Sequence, residues 1–75
     1  MPNAYQIQVE YHQSQNYTPT DAMRRWGMAN YQPLFTDAFS RPYFHFHGKD
    51  FFYDRWNIQK HDDGTETVTL YLKAS

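Results

Sequence analysis

The chain contains no cysteine. No disulfide can brace it, and no zinc–thiolate site can drive its folding. Glycine is scarce as well, with three in 75 residues, at positions 27, 48 and 64. That leaves no glycine-rich loop to cradle a phosphate. Charge of either sign is not in excess: seven Lys and Arg stand against eight Asp and Glu, a formal net charge of −1. Such a chain has no field to gather a polyphosphate and lacks the acidic density of a nucleic-acid mimic. No apolar run approaches the roughly 20 residues that cross a bilayer. The first residues, Met-Pro-Asn-Ala-Tyr-Gln, have neither the basic region nor the apolar stretch of a signal peptide. The expectation is a soluble, cytoplasmic protein with no membrane partner.

Catalytic groups are also thin. Ser14, Ser40 and Ser75 fall in expected loops or the tail, outside any nucleophile-elbow setting. The only adjacent carboxylates, Asp62 and Asp63, sit where a turn is expected, and turn chemistry accounts for them. No enzyme and no cofactor is expected.

What the chain has in quantity is aromatic rings: seven Tyr, six Phe and two Trp, 20% of its residues. A chain this short forms one domain, residues 1–75, with a modest core. Each ring buries more area than an aliphatic side chain, so rings are expected to carry that core.

Tyr5, Ile7, Val9 and Tyr11 alternate with Gln6, Gln8, Glu10 and His12. Period two with one apolar face marks a half-buried strand. Ser14 to Asn16 read as a polar loop. Thr18-Pro19-Thr20-Asp21 then supplies an N-cap, a first-turn proline and an acid near the positive helix end. A helix from about Pro19 to Trp26 follows, ended by Gly27 in a left-handed cap. Its apolar positions are Ala22, Met23 and Trp26, with Arg24 and Arg25 facing solvent. A second helix is expected from Pro33, because Leu34, Phe35, Ala38 and Phe39 fall on one face at helical spacing. From Pro42 on, Tyr43 to His47, Phe51 to Lys60 and Thr65 to Lys73 are rich in aromatic and β-branched residues and read as strands.

Side-chain parity tests the turns. A two-residue Asp63-Gly64 turn sets Ile58 against Thr69 and mixes the faces. A three-residue loop, Asp62-Asp63-Gly64, sets Ile58 against Val68 and Trp56 against Leu70, and puts Gly64 where a left-handed residue is needed. By the same reasoning Gly48-Lys49-Asp50 is expected to be a three-residue loop that pairs His47 with Phe51 and Phe46 with Phe52.

The expected fold class is therefore α+β. A single four-stranded sheet, antiparallel or mixed, follows the order β-α-(α)-β-β-β, with the helical segment packed on one face. Phe44, Phe46, Phe52, Trp56 and Ile58 join Tyr5, Ile7, Val9 and Val68, Leu70, Leu72 on the covered face, under Met23, Trp26, Leu34, Phe35 and Phe39. The open face takes Gln6, Gln8, Glu10 and His12, then Tyr43, His45 and His47, then Phe51, Tyr53, Arg55, Asn57 and Gln59, and last Thr67, Thr69, Tyr71 and Lys73.

Tyr and Arg are enriched at binding hot spots, which makes Tyr43, His45, Tyr53, Arg55 and Tyr71 candidate partner contacts. The Arg24-Arg25 helix face and an edge strand are alternatives, and two open faces packed together would give a homodimer. Tyr and Thr also suit a wet strand surface for structural reasons alone. His45-Phe46-His47 would place two imidazoles on one side about 7 Å apart, a spacing usable for metal, and Glu10 and His12 share their face. Aromatic sheet faces also stack single-stranded bases, but the near-zero charge removes most of that affinity. The functional expectation is a small noncatalytic protein-interaction module. Its size and plainness suit a phage or mobile-element inhibitor of a host complex, of the anti-CRISPR kind. Single-stranded nucleic-acid binding and a His-dependent metal site are the alternatives.

Overall fold

The structure is a computed structural model that describes residues 3–12 and 18–75. The loop expected at Ser14 to Asn16 lies outside the described residues. Six elements follow in chain order: β1 Ala4–His12, α1 Pro19–Ala29, β2 Phe35–Thr36, β3 Pro42–Phe46, β4 Lys49–Lys60 and β5 Thr65–Ala74. The strands form one sheet in the order β1-β5-β4-β3-β2, every neighbouring pair antiparallel. The α+β class holds, with five strands instead of four. A two-residue strand stands where the second helix was expected.

The first strand forms as its alternation requires. Ile7 and Val9 are buried and pair with Leu70 and Val68, while Gln6, Gln8 and Glu10 stay exposed. At the far end of β1 the Tyr11 hydroxyl donates to Glu66 Oε2 at 2.8 Å, which gives the one buried acid among the described residues a partner. The helix begins at its expected cap. The Asp21 N–H donates to Thr18 Oγ1 at 3.2 Å and the Thr18 N–H donates to Asp21 Oδ2 at 3.2 Å, a reciprocal capping box that satisfies two otherwise orphaned donors.

Gly27 does not end the helix. It lies inside α1 and is buried, and the chain turns left-handed at Tyr31 instead, φ 56°. The Gln32 N–H then donates to the Gly27 carbonyl at 2.8 Å, closing a Schellman-type end. Glycine is needed at 27 for close approach: a Cβ there would stand 2.7 Å from the Gln32 carbonyl oxygen and 3.1 Å from Phe44 Cε1.

The last hairpin has the expected three-residue loop. The His61 N–H donates to the Thr65 carbonyl at 2.9 Å, Gly64 has φ 87°, and Ile58 and Trp56 oppose Val68 and Leu70. Farther along β4 the register slips by one between Tyr53 and Arg55. Asp54 is the extra residue, a β-bulge, and a bulge reverses the side-chain alternation beyond it. Phe51 is therefore in the core with no exposed surface, Phe52 lies on the open face, and Tyr53 pairs with Leu72 on the covered side. The expected placements of Phe51, Phe52 and Tyr53 are all reversed by this residue.

The β3–β4 turn also differs. It is the two-residue turn His47-Gly48, closed by Phe46 opposite Lys49. Both turn residues have positive φ, 51° and 75°, as a type I′ turn requires. His47 is thus a turn residue, and the pairs expected from a three-residue loop do not form.

Rings do not carry the core alone, as the composition suggests they would: Tyr11, Phe44 and Phe51 are buried beside Ile7, Val9, Ala22, Met23, Val68, Leu70 and Leu72, and further rings pack around them. Tyr5 stacks on Phe46 at 4.7 Å, and Trp26 meets Phe44 edge-on at 5.2 Å. Met23 and Ala22 of the helix are fully buried in one cluster with Val68, Leu70 and Phe44, and Leu34 packs against it. Phe35 and Phe39, assigned to the core by helical spacing, are exposed instead. No described helix is long and apolar enough to cross a membrane.

Gly27→Ala tests the close approach. Alanine favours a helix interior by about 1 kcal/mol, but overpacking costs about 1–3 kcal/mol. Because the 2.7 Å neighbour is backbone, the expected outcome is a lower urea midpoint for the variant, followed by tryptophan fluorescence.

Candidate functional site

Asp37 organises the segment between the helix and β3. Its Oδ1 accepts the N–H groups of Phe39 at 2.9 Å and Arg41 at 2.8 Å, and its Oδ2 accepts Arg41 Nε at 2.8 Å. The Asp37 N–H donates to the Arg41 carbonyl and the Ser40 N–H to the Asp37 carbonyl, each at 3.0 Å. Ser40 is left-handed, φ 63°, in the position Gly64 takes in the last hairpin. The result is a small hairpin, β2 to β3, whose three-residue tip is Ala38-Phe39-Ser40. Thr36 opposes Pro42 and Phe35 opposes Tyr43 at its base.

The hairpin presents rings to solvent. Phe39 is 81% exposed at the tip. Phe35 stacks on Tyr43 with centroids 5.6 Å apart, and Tyr43 meets Phe52 at 5.0 Å. These three rings form a ladder across β2, β3 and β4. The Arg41 guanidinium lies 4.8 Å from the Phe52 centroid and 5.7 Å from that of Phe39. Along β3 the next open-face residue, His45, hydrogen-bonds through Nδ1 to Asp50 on β4 at 2.7 Å. A shallow cavity of about 340 Å³ lies among Gln32, Pro33, Phe35, Tyr43, His45 and Asp50. Where the helix ends, Tyr31 is 93% and Met28 76% exposed.

The candidates read from the sequence separate into three groups. Tyr43 and His45 lie in this surface. Arg55 and Tyr71 form their own pair on the same sheet face, the guanidinium 4.3 Å from the ring centroid. Tyr53, Arg24 and Arg25 do not join them: Tyr53 is on the helix-bearing side by register, and the two arginines are on α1, with Arg24 3.5 Å from Asp21. The metal reading fares similarly. His47 has left the strand, His45 is engaged by Asp50, and Glu10 and His12 lie on β1, separated from β3 by two strands. Among the described residues no group of three or more His, Asp or Glu is placed to hold a metal.

Phe35, Phe39, Arg41 and Phe52 were missed as surface residues. The signal for three of them lay in Thr36-Asp37, Ser40 and Pro42, turn-forming residues that flank Phe39 at hairpin spacing. Phe52 had no such signal, because its face depends on the bulge at Asp54.

Comparisons with protein-family models, with curated proteins and with solved structures found no match.

The Asp37 carboxyl feels opposing influences. Desolvation raises its pKa, but the hydrogen bonds from the Arg41 N–H, the Arg41 guanidinium and the Phe39 N–H outweigh it and hold it below the ordinary 3.8. Asp63 is lowered too, through the Thr65 hydroxyl and N–H. A pKa lower in the folded state means that folding is favoured above the ordinary value, and that this part of the stability disappears as pH falls through the folded pKa. Asp37→Asn keeps an acceptor for the two N–H groups but removes the charge. The expected outcome is a stability deficit against wild type at neutral pH that narrows in acid, once the pH has fallen through the lowered folded pKa of Asp37. Urea midpoints at neutral and acid pH measure it.

Proposed function

We propose that the protein is a noncatalytic module that binds another protein through the β2–β3 end of its open sheet face. Phe35, Phe39, Arg41, Tyr43 and Phe52 are the anchors. The observation that carries this reading is Phe39, an apolar ring held almost fully in water at the tip of a hairpin that Asp37 fixes with three hydrogen bonds. Anchors of this kind, aromatic side chains and arginine on a pre-formed support, dominate binding energy where interfaces have been dissected, because little freedom is lost when they dock. Tyr31, Ser40 and His47 are non-glycine residues in left-handed geometry, all in the segment that builds or borders this surface. Such conformations cost of order 1 kcal/mol or more each and collect at functional positions.

Within this class, an inhibitor of a host complex of the kind phages and mobile elements encode, anti-CRISPR proteins among them, agrees with a small single-sheet fold that presents a rigid aromatic surface. A gene neighbourhood free of phage or mobile-element genes would count against it.

The Phe35–Tyr43–Phe52 ladder favours a second reading, single-stranded nucleic acid stacked on the rings. Charge opposes it: Arg41 is tied to Asp37 and His45 to Asp50, on a chain of net charge −1.

Phe35→Ala with Phe39→Ala tests the proposal. Both side chains are largely outside the core, so the melting temperature should hold. Affinity for a partner recovered by pull-down should fall by at least about thirtyfold, the loss of roughly 2 kcal/mol that one hot-spot anchor supplies. Arg24→Ala with Arg25→Ala should leave it unchanged. Undiminished binding by the double phenylalanine variant would reject the surface. Tight, salt-sensitive binding of mixed single-stranded oligonucleotides would favour the second reading.

A further inference from the structure

The two edges of the sheet are treated differently. The β2 edge is two residues long and runs directly into the Asp37 loop, a blunted edge. The β1 edge is nine residues of regular strand with no proline, no lysine and no bulge, and its register against β5 is unbroken from Ala4 to His12. Natural sheets rarely leave such an edge bare, because its free N–H and C=O groups template another strand.

The direction of those groups is fixed. The Ala74 N–H donates to the Asn3 carbonyl at 2.9 Å, so Asn3 faces β5 in a hydrogen-bonded pair. Hydrogen-bonded and open pairs alternate along an antiparallel ladder, so the odd residues of β1 turn their backbone groups to β5. Ala4, Gln6, Gln8, Glu10 and His12 turn theirs outward. Among the described residues no strand pairs with them.

We infer that β1 pairs with β1 of a second copy of this chain across a two-fold axis at Gln8, joining the two sheets into one of about ten strands. This antiparallel register engages the whole strand: Gln8 opposes Gln8 of the copy, Gln6 opposes Glu10, and Ala4 opposes His12. It matches outward-facing residues to outward-facing residues throughout, giving about ten backbone hydrogen bonds. Slipping the register by one residue would set outward groups against inward ones, and slipping by two would leave strand ends unpaired. On the covered face Ile7 opposes Val9 and Tyr5 opposes Tyr11. Among the paired strand residues no like charges oppose each other, and the only acid, Glu10, faces an amide; Arg25 of the helix borders the same edge.

The helices permit this approach. Helix α1 rests over both β1 and β5. With strands about 4.8 Å apart, the two helices would lie on the same face of the joined sheet, one on each side of the seam. The inference does not depend on the hairpin's partner, since it concerns the opposite edge.

The absence of cysteine makes the register directly testable. Sedimentation of the full chain across micromolar to millimolar concentrations should show twice the monomer mass. Gln8→Lys puts like charges on the axis, and Gln8→Pro removes an outward N–H that the protomer's own ladder does not use. Each should weaken dimerisation at least about tenfold with the circular dichroism spectrum and melting curve preserved at low concentration. Gln6→Lys, facing Glu10 of the copy, should hold or tighten it. Under mild oxidation Gln8→Cys should cross-link within the dimer much faster than Gln6→Cys, because opposed Cα atoms about 5.5 Å apart suit a disulfide. A wild-type monomer at millimolar concentration would overturn the inference. So would a dimer indifferent to both Gln8 variants, or equal cross-linking at positions 6 and 8.

Discussion

Between Tyr53 and Arg55 the fourth strand carries one residue more than the strand beside it, and the side-chain alternation of everything on the Tyr53 side turns over. That one insertion sends Phe51 into the core and Phe52 to the open face. Because β3 takes its register from β4, it also puts Phe44 opposite Phe51, where it can meet Trp26 and the bare backbone of Gly27. Without the bulge Phe52 would face the helix and Phe51 the solvent, and Tyr43 would lose the ring it leans on. The core at one end of the sheet and the exposed ladder on its other side are thus two consequences of one local irregularity.

The chain's own pattern reveals what is local and regular. The alternation of Tyr5 to His12 defines a strand and its faces. Thr18, Pro19 and Asp21 define a helix start, and the agreement of Ile58 with Val68 and Trp56 with Leu70 correctly rejects the tempting two-residue Asp-Gly turn. Parity fails in β4 because the period does not run unbroken from Phe51 to Lys60, and a bulge leaves no mark on composition. The error spreads to the next turn. With Phe51 and Phe52 assigned to the opposite faces, only a three-residue loop satisfies the pairing, although His47-Gly48 can supply two left-handed residues.

Leu34 to Phe39 failed for a different reason. Apolar residues at 34, 35, 38 and 39 satisfy a helical stripe, and a single short stretch cannot separate that from a hairpin with rings on both sides. The decision falls to hydrogen bonds. Asp37 offers both carboxylate oxygens to the backbone and side chain of residues two and four positions on, an alternative to helical bonding that short acidic side chains are suited to provide. Once that loop closes, Phe39 cannot turn back to the core. Phe35 and Phe39, two of the residues that mimic a helix face, form the exposed surface while Leu34 stays against the core, so one ambiguous stripe hides both the second hairpin and the strongest candidate site. Only Tyr43 and His45 of that surface were legible beforehand, because β3 itself is regular.

Such a surface needs support, and in a chain of this size the support comes from rings. Three left-handed non-glycine residues and a large exposed phenylalanine are costs that a small core must offset. The offset is concentrated beneath them. Tyr5, Trp26, Phe44, Phe46 and Phe51 interlock on the covered side of the same strands that display Tyr43 and Phe52 on the other. Strand β3 is the shared wall. Phe44 is buried with no exposed surface while its neighbours Tyr43 and His45 face out, so the packing that stabilises the protein also fixes the position of its candidate contacts. At the other edge β1 is held just as firmly on one side by β5, and its outward backbone groups are pre-aligned for the same reason. In both places rigidity on the inner side fixes the outer side in advance, since a strand already straight and a ring already fixed would lose little freedom on meeting a partner.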